Sequence, residues 1–269
     1  MKRALLLVPF VLLMAGTVYA QQAGTQEPPA KALDNCTNLP SLEKKVEALE
    51  ALLKDWPELS RYHEANTTLV APAKDEERVV FMGDSITDMW QYPQFGGFFP
   101  GKPYIDRGIG GQTTPQMLLR FRPDVLALHP RAVVILAGTN DIAGNTGPLT
   151  LEETEGNLAS MSELAHAHGI RVVLASVMPV NDVTTPDGKK IMQTGKRPPE
   201  KILALNEWIK KYAAEHGDVY LDYFSATVDD KGFLKSELTN DGLHPQAKGY
   251  AIMAPLAEKA IVEAEARKP

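Results

Sequence analysis

From about residue 75 onward, short apolar stretches alternate with longer segments that have apolar residues at helical spacing. The apolar stretches predict buried strands at Val79–Met82, Pro103–Ile105, Ala132–Ala137, Val172–Ala175 and Val219–Leu221. The longer segments predict helices at Pro115–Leu128, Leu151–His168, Pro199–Glu215 and Pro245–Ala266. Strands that alternate with helices and lack polar alternation are typical of a parallel sheet covered on both faces. The pattern therefore predicts an α/β domain over residues 75–269.

The amino terminus has the pattern of an export signal. Lys2 and Arg3 precede an apolar run over residues 4–14, and small residues lead to a plausible cleavage point after Ala20. The run is too short for a membrane span. Cys36 lies too far downstream to serve as a lipid-anchor site. We therefore expect residues 1–20 to be a signal peptide and the mature protein to be periplasmic or extracellular, with no membrane span.

Two segments separate the predicted signal from the α/β domain. Residues 21–40 are rich in Gln, Pro, Ala and Thr, which is typical of a flexible linker. Residues 41–74 form a predicted helical extension that begins with Ser41 as N-cap and carries Leu42, Val46 and Leu49 at helical spacing. We expect this extension to pack on the outside of the α/β domain, and no chemistry is visible in it.

The charge and cysteine content exclude several classes of function. The formal net charge is −6, and no basic block follows the leader, so a nucleic acid partner is not expected. A single cysteine excludes an intramolecular disulfide. The oligomeric state does not follow from these features.

Candidate chemistry begins at the end of the first predicted strand, in Gly83-Asp84-Ser85. A serine in a turn from strand to helix is a usual place for a nucleophile, although such a turn is also typical of helix capping. Near the carboxyl end, Asp241 and His244 precede the last predicted helix. The carboxylate can fold back onto the imidazole, which leaves the other ring nitrogen to act as a base for a serine hydroxyl.

Two further strand ends carry groups that acyl transfer needs. Small residues at 108–111 let a backbone N–H approach a ligand closely, and Asn140 can direct its amide into the same cleft. The N–H groups of Ser85 and Gly111 and the Asn140 side chain would supply three donors to an oxyanion. Each motif alone is also consistent with a simple turn. Their common position at predicted strand ends favours a shared site.

No cofactor or metal is expected. The glycines at 108 and 110 suggest a dinucleotide loop, but Thr113 stands where its third glycine should be. His166 and His168 could bind a metal, but no third ligand can be named. The remaining polar candidates have structural interpretations: Asp84 as a residue that fixes its turn, and Asp88 and Asp141 as local caps.

Two loops at predicted strand ends have open interpretations. Residues 90–99 are aromatic and rich in glycine, and they form either a wall of a substrate cleft or a locally packed cluster. Residues 181–199 form a long polar loop that is either a lid or a solvated face carrying Lys189, Lys190, Lys196 and Arg197.

These motifs resemble the conserved blocks of the SGNH (GDSL) esterase and lipase family, especially its branch related to platelet-activating-factor acetylhydrolases and bacterial lysophospholipase-like or carbohydrate acetylesterases. The resemblance covers nearly all of residues 75–265. It implies a flavodoxin-like α/β/α sandwich with a five-stranded parallel sheet. It also implies Ser85 as nucleophile, His244 and Asp241 as its triad partners, and Ser85, Gly111 and Asn140 as the oxyanion hole.

We therefore expect an exported serine esterase that acts on short-chain esters, with acetylated carbohydrate as the first substrate choice. A lysophospholipase or a general carboxylesterase is the alternative within the class. A secreted binding module on a degenerate hydrolase fold is the alternative from another class, and the complete catalytic set argues against it.

Overall fold

The structure is a computed structural model that describes residues 39–267. The predicted signal peptide and most of the predicted linker lie outside the described residues. The chain divides into two compact units, Met1–Leu49 and Glu50–Pro269. Helix α1 (Leu39–Lys54) begins two residues before the predicted N-cap. Its side chains Leu42, Val46 and Leu49 are exposed, and its packing on the catalytic domain stays a prediction.

The second unit contains a central sheet with helices on both sides. Its strands are β1 (Val79–Gly83), β2 (Tyr104–Gly108), β3 (Ala132–Leu136), β4 (Arg171–Ala175), β5 (Val183–Thr184), β6 (Lys190–Ile191) and β7 (Val219–Leu221). Its helices are α2 (His63–Thr68), α3 (Ser85–Asp88), α4 (Thr114–Asp124), α5 (Thr139–Ile142), α6 (Leu151–Ala167), α7 (Pro199–His216), α8 (Tyr223–Thr227) and α9 (Ala247–Ala266). None of the helices described over residues 39–267 is long and apolar enough to cross a membrane.

The main sheet has five parallel strands in the order β2-β1-β3-β4-β7. In its register, Val79 of β1 lies beside Tyr104 of β2 on one side and Ala132 of β3 on the other. The order confirms the predicted flavodoxin-like α/β/α sandwich. It also places the carboxyl ends of β1, β2 and β3 next to one another at one edge, where ligands of such sheets bind.

Alternate residues of each central strand enter two separate cores. Val80, Met82 and Val133 pack in the core shared with α4, α6 and α7, whereas Phe81 and Val134 pack in the core shared with α9. Because every residue of β1 and β3 is buried, these strands show no polar alternation. The absence of polar alternation in the sequence therefore correctly predicted that the sheet is buried on both faces.

Strand β2 is longer than predicted because two polar residues, Asp106 and Arg107, continue it. The strand lies at the sheet edge, where the Arg107 guanidinium stacks 4.6 Å from the centre of the Tyr62 ring and donates to Asn66 Oδ1. The last helix begins at Ala247 and not at Pro245, because Pro245 pairs with Thr239 in an isolated β-bridge.

Candidate active site

The turn after β1 presents Ser85 as the first residue of α3. Asp84 is buried and caps this helix, since its Oδ1 accepts from the Ile86 N–H at 2.9 Å. The prediction that Asp84 fixes the turn is confirmed. Burial raises the pKa of Asp84 to about 6, although the Ile86 N–H and the charges of His244 and Arg197 act in the opposite direction.

Ser85, His244 and Asp241 form one continuous hydrogen-bonded chain. The Oγ atom of Ser85 lies 2.8 Å from Nε2 of His244. On the other side of the ring, Nδ1 lies 2.6 Å from Oδ2 of Asp241. This arrangement can withdraw the hydroxyl proton of Ser85 while the carboxylate orients the imidazole and balances the positive charge that it gains.

Asp241 is held by the loop that it belongs to. Its Oδ1 accepts from the N–H groups of Leu243, at 2.9 Å, and His244, at 2.8 Å. Burial alone would raise the pKa of Asp241, but the hydrogen bonds from the His244 ring and from these two N–H groups hold it well below its usual range. The carboxylate therefore stays ionised at the pH values where an imidazole serves as a base.

Gly242 fits this loop against the start of the loop after β4. Its φ of 78° is in the left-handed region, and a Cβ there would lie 1.8 Å from the carbonyl oxygen of Asn181. The Asn181 N–H donates to the Gly242 carbonyl at 2.8 Å. The loop bearing Asp241 and His244 is thus anchored to residues 181–199 by backbone contact that only glycine permits.

The loop after β2 passes directly beside the predicted nucleophile. A Cβ at Gly110 would lie 3.8 Å from Cβ of Ser85, and a Cβ at Gly108 would lie 2.1 Å from the Asp88 nitrogen. The fully buried guanidinium of Arg120 secures this approach, because it donates to the carbonyls of Gly83 and Arg107 at 2.9 and 2.8 Å. Arg120 thereby joins the ends of β1 and β2, and sequence reasoning did not identify it.

Asn140 lies buried in α5, after β3, with both ends of its amide engaged. Its Nδ2 donates to the Gln112 carbonyl at 3.0 Å, and its Oδ1 accepts from Nη2 of Arg197 at 3.1 Å. One bond to Gln112 uses one of the two Nδ2 protons, so the amide retains a second proton as a donor. Asp141 is not a local cap as predicted: it reaches α4, where its Oδ1 accepts from the Thr114 N–H at 2.9 Å.

Of the four basic residues that the solvated-face interpretation of the 181–199 loop included, Arg197 does not fit it. Lys189, Lys190 and Lys196 are exposed, but Arg197 is buried. Besides Asn140, its guanidinium donates to the carbonyl and hydroxyl of Thr139 at 3.1 and 3.0 Å. Burial lowers the pKa of Arg197, and the negative charges of Asp84 and Asp241 act in the opposite direction. Together with the hydrogen-bond acceptors, these charges offset the cost of burying the guanidinium cation.

Gln193 extends the same network to the other side of the site. Its Oε1 accepts from Nη1 of Arg197 at 2.9 Å, and its Nε2 donates to the Asp241 carbonyl at 3.0 Å. The 181–199 loop therefore bridges Asn140 and Asp241. Because the loop is charged and polar throughout, its sequence could not distinguish Arg197 from its exposed lysine neighbours.

The aromatic rings of residues 90–99 form a packed cluster, which is one of the two interpretations that the sequence left open, and the stretch also lines a cavity of about 350 Å³. Trp90, Phe95 and Phe99 are buried, and Trp90 lies 4.9 Å from the ring of Tyr250 and 6.2 Å from that of Phe81. These rings attach the stretch to β1 and α9.

The other histidine candidates lie elsewhere. His166 pairs with the buried carboxylate of Asp218 at 2.7 Å, and His168 is exposed with Nδ1 2.8 Å from the Leu164 carbonyl oxygen. Across residues 39–267, no three histidine, cysteine, aspartate or glutamate side chains converge in a way that could hold a metal ion.

The chain is similar to a known protein family and to solved structures. A model of the GDSL-like lipase/acylhydrolase family matches residues 81–252. A candidate acylhydrolase from Bacteroides fragilis is 42% identical, with a TM-score of 0.70 over 78% of this chain and 99% of its own. A candidate platelet activating factor from Streptococcus pneumonia is 26% identical, with a TM-score of 0.64 over 81% of this chain and 99% of its own.

A curated relative is also similar over a shorter region. An uncharacterized lipoprotein of Bacillus subtilis (strain 168) is 37% identical over 79 residues, which are 28% of this chain and 32% of that protein. This chain thus matches about one third of the length of that relative. The family match covers more than half of the chain and confirms the resemblance seen in the sequence. The chain belongs to the GDSL-like lipase/acylhydrolase family of carboxylic ester hydrolases.

Proposed function

We propose that the protein is an exported serine esterase that hydrolyses short-chain esters, with acetyl groups on carbohydrate as the first candidate substrate. The observation that carries the proposal is the hydrogen-bonded chain from Ser85 through His244 to Asp241, with links of 2.8 and 2.6 Å. A serine hydroxyl is too weakly acidic to attack an ester unaided, and this chain supplies the base and the group that orients it.

In the proposed mechanism, Ser85 Oγ attacks the ester carbonyl while His244 Nε2 accepts its proton. Asp241 stabilises the resulting imidazolium. When the tetrahedral intermediate collapses, His244 returns the proton to the leaving alcohol and the acyl group stays on Ser85. Water then attacks the acyl-enzyme, with His244 again as the base, and the acid is released.

Three donors are proposed to stabilise the oxyanion of that intermediate. The Ser85 N–H is in the first turn of α3 and has no intrahelical acceptor. Within residues 39–267, the Gly111 N–H donates to no other group. The free proton of Asn140 Nδ2 is the third donor. Donors that are held in place before the reaction contribute more than donors that must reorganise during it.

Export is supported by the charge and apolar pattern of residues 1–20 and by the similarity to a bacterial lipoprotein. An exported enzyme of this class meets polysaccharide debris, which favours acetylated carbohydrate as substrate. Turnover of nitrophenyl esters of graded chain length, acetylated xylan, acetylated pectin and lysophospholipid tests this choice. Preference for long acyl chains or for lysophospholipid would contradict it.

The test of the nucleophile is Ser85→Ala, with Ser60→Ala, a change at an exposed serine, as the control. We expect Ser85→Ala to abolish ester turnover and labelling by a fluorophosphonate, because it removes the attacking oxygen. Circular dichroism should remain that of the wild type. Unchanged turnover in a folded Ser85→Ala protein would refute the assignment.

A further inference from the structure

A cleft of about 430 Å³ opens beside the loop after β2. Its lining includes Trp56, Glu58, Gly111, Gln112, Asn145 and Thr146. Gly110 also lines it, and a Cβ at that position would lie 3.8 Å from Cβ of Ser85. The cleft is therefore adjacent to the predicted nucleophile and to the backbone of the predicted oxyanion hole.

The wall of this cleft comes from a segment in which the sequence suggested no chemistry. Two nearly fully buried amides fix it: Gln112 Nε2 donates to the Pro57 carbonyl at 2.9 Å, and Gln116 Nε2 donates to the Trp56 carbonyl at 2.7 Å. The Asp55 carboxylate accepts from the Leu59 N–H at 2.7 Å. These bonds fix the backbone of the segment that carries Trp56.

Glu58 in the same wall has an unusual backbone conformation. Its φ is 55°, in the left-handed region, which is unfavourable for a residue with a Cβ. The turn is held by the bond from the Glu58 N–H to the Asp55 carbonyl at 2.9 Å. Strained residues of this kind concentrate at binding and catalytic sites. Glu58 and the half-buried Trp56 both line the cleft, and Glu58 Oε1 accepts from Gln112 Nε2 at 3.4 Å.

The chemistry of the lining matches a sugar ring. A pyranose has apolar C–H faces that stack on an indole and a rim of hydroxyls that exchange hydrogen bonds with carboxylate, amide and hydroxyl groups. Trp56 offers the aromatic surface, and Glu58, Asn145 and Thr146 offer the polar groups. These polar groups are held by the protein itself: Glu58 Oε1 accepts from Gln112 Nε2 at 3.4 Å, Asn145 Nδ2 donates to the Gly111 carbonyl at 3.0 Å, and the Thr146 hydroxyl lies 2.9 Å from that of Thr113. Their remaining donor and acceptor positions can pair with sugar hydroxyls but not with a long acyl chain.

We propose that this cleft is the subsite for the alcohol part of the substrate, and that it binds the sugar ring bearing the acetyl ester, with Trp56 as the stacking platform. This inference rests on the proposed esterase function. It identifies Trp56 as a specificity-determining residue, and Ser85, His244 and the oxyanion donors act on whichever ester occupies the site.

The test compares two substrates, acetylated xylan oligosaccharides and nitrophenyl acetate, in Trp56→Ala and Trp56→Phe. We expect the ratio of kcat/KM for the oligosaccharide to kcat/KM for nitrophenyl acetate to fall at least tenfold in Trp56→Ala. Trp56→Phe should recover part of this ratio because phenylalanine keeps an aromatic face. Tyr92→Ala, a change at an aromatic residue that is 42% exposed and outside the cleft, should leave the ratio unchanged.

A second measurement removes catalysis from the comparison. The Ser85→Ala protein should bind the acetylated oligosaccharide in isothermal titration calorimetry, and the Ser85→Ala/Trp56→Ala protein should bind at least tenfold more weakly. Equal binding by the two proteins, or an unchanged ratio in Trp56→Ala, would overturn the subsite. A wild-type protein that is inactive on every ester would instead refute the esterase function. A wild type active on nitrophenyl acetate that neither turns over nor binds the oligosaccharide would overturn the sugar subsite alone.

Discussion

Replacement of Asn140 by aspartate or alanine tests the proposed oxyanion hole most directly. Aspartate has nearly the same shape and preserves an acceptor for Arg197 Nη2, which lies 3.1 Å from Asn140 Oδ1. It also replaces the amide nitrogen by an oxygen that would lie 3.0 Å from the Gln112 carbonyl oxygen. Alanine removes both contacts and adds no charge. The pair therefore separates the loss of a donor from the introduction of a repulsive group.

The expected loss of kcat follows from the stage of the reaction at which the Asn140 amide would contact the substrate oxygen. The Asn140 amide would meet an oxygen that becomes negative only in the transition state, so its removal should lower kcat and leave KM nearly unchanged. Loss of one such side-chain donor costs about 10²–10³ in kcat, or about 2.7–4 kcal/mol. Asn140→Ala should fall in this range. The loss should remain below that of Ser85→Ala, because the Ser85 and Gly111 N–H groups still donate.

Asn140→Asp should be at least as damaging as Asn140→Ala. Two like charges 4 Å apart near a protein surface repel by about 4 kcal/mol, and the positive charge of Arg197 cancels part of this repulsion. The aspartate variant should therefore retain its fold through the Arg197 contact but lose turnover. The melting temperature of this variant should stay near that of the wild type, whereas its kcat should fall strongly.

The assay is steady-state kinetics of both variants on one short-chain nitrophenyl ester. Asn157→Ala is the matched control, because it also deletes an amide that donates at 3.0 Å, to Thr114 Oγ1, from a helix outside the site. A rise in KM with kcat preserved in Asn140→Ala would identify a ground-state contact. Wild-type kcat in Asn140→Asp would refute the oxyanion role.

Two further predictions concern the groups around this site. Arg197→Met should lower kcat about tenfold to a hundredfold with little change in KM, since a hydrogen bond to a charged group is worth about 1.5–3 kcal/mol. Steady-state kinetics measures this loss, with Lys196→Met as a control at an exposed residue. Equal losses of kcat in both variants would contradict the prediction. Because the pKa of Asp241 is lower in the folded protein than in the unfolded chain, its stabilising contribution is present above about pH 4 and is lost as pH falls further. The difference in unfolding free energy between wild type and Asp241→Asn in urea titrations should therefore shrink from pH 5 to pH 2, and a constant difference would argue against the lowered pKa.

Local sequence determined the fold class and the residues of the hydrogen-bonded chain. Continuous apolar runs such as residues 132–137 predicted strands that are buried on both faces, because a strand buried on both faces has no polar alternation. Asp241 and His244 are close enough in the chain to meet through a single turn. Ser85 and Asn140 were found because parallel strands bring their carboxyl ends to one edge, so that motifs at those ends share a site.

Tertiary structure alone decided which polar residues outside these motifs serve the site. Arg197 meets Asn140 across 57 positions of sequence, and Pro57 meets Gln112 across 55. Arg107, in an edge strand, is covered by Tyr62 and Asn66, which are more than 40 positions earlier in the chain. An arginine or a tryptophan in a loop has the same local pattern whether it is solvated or buried, since its environment is set by chain segments distant in sequence. The contacts that hold the proposed oxyanion donor Asn140 and the wall of the cleft therefore became visible only when the chain was folded.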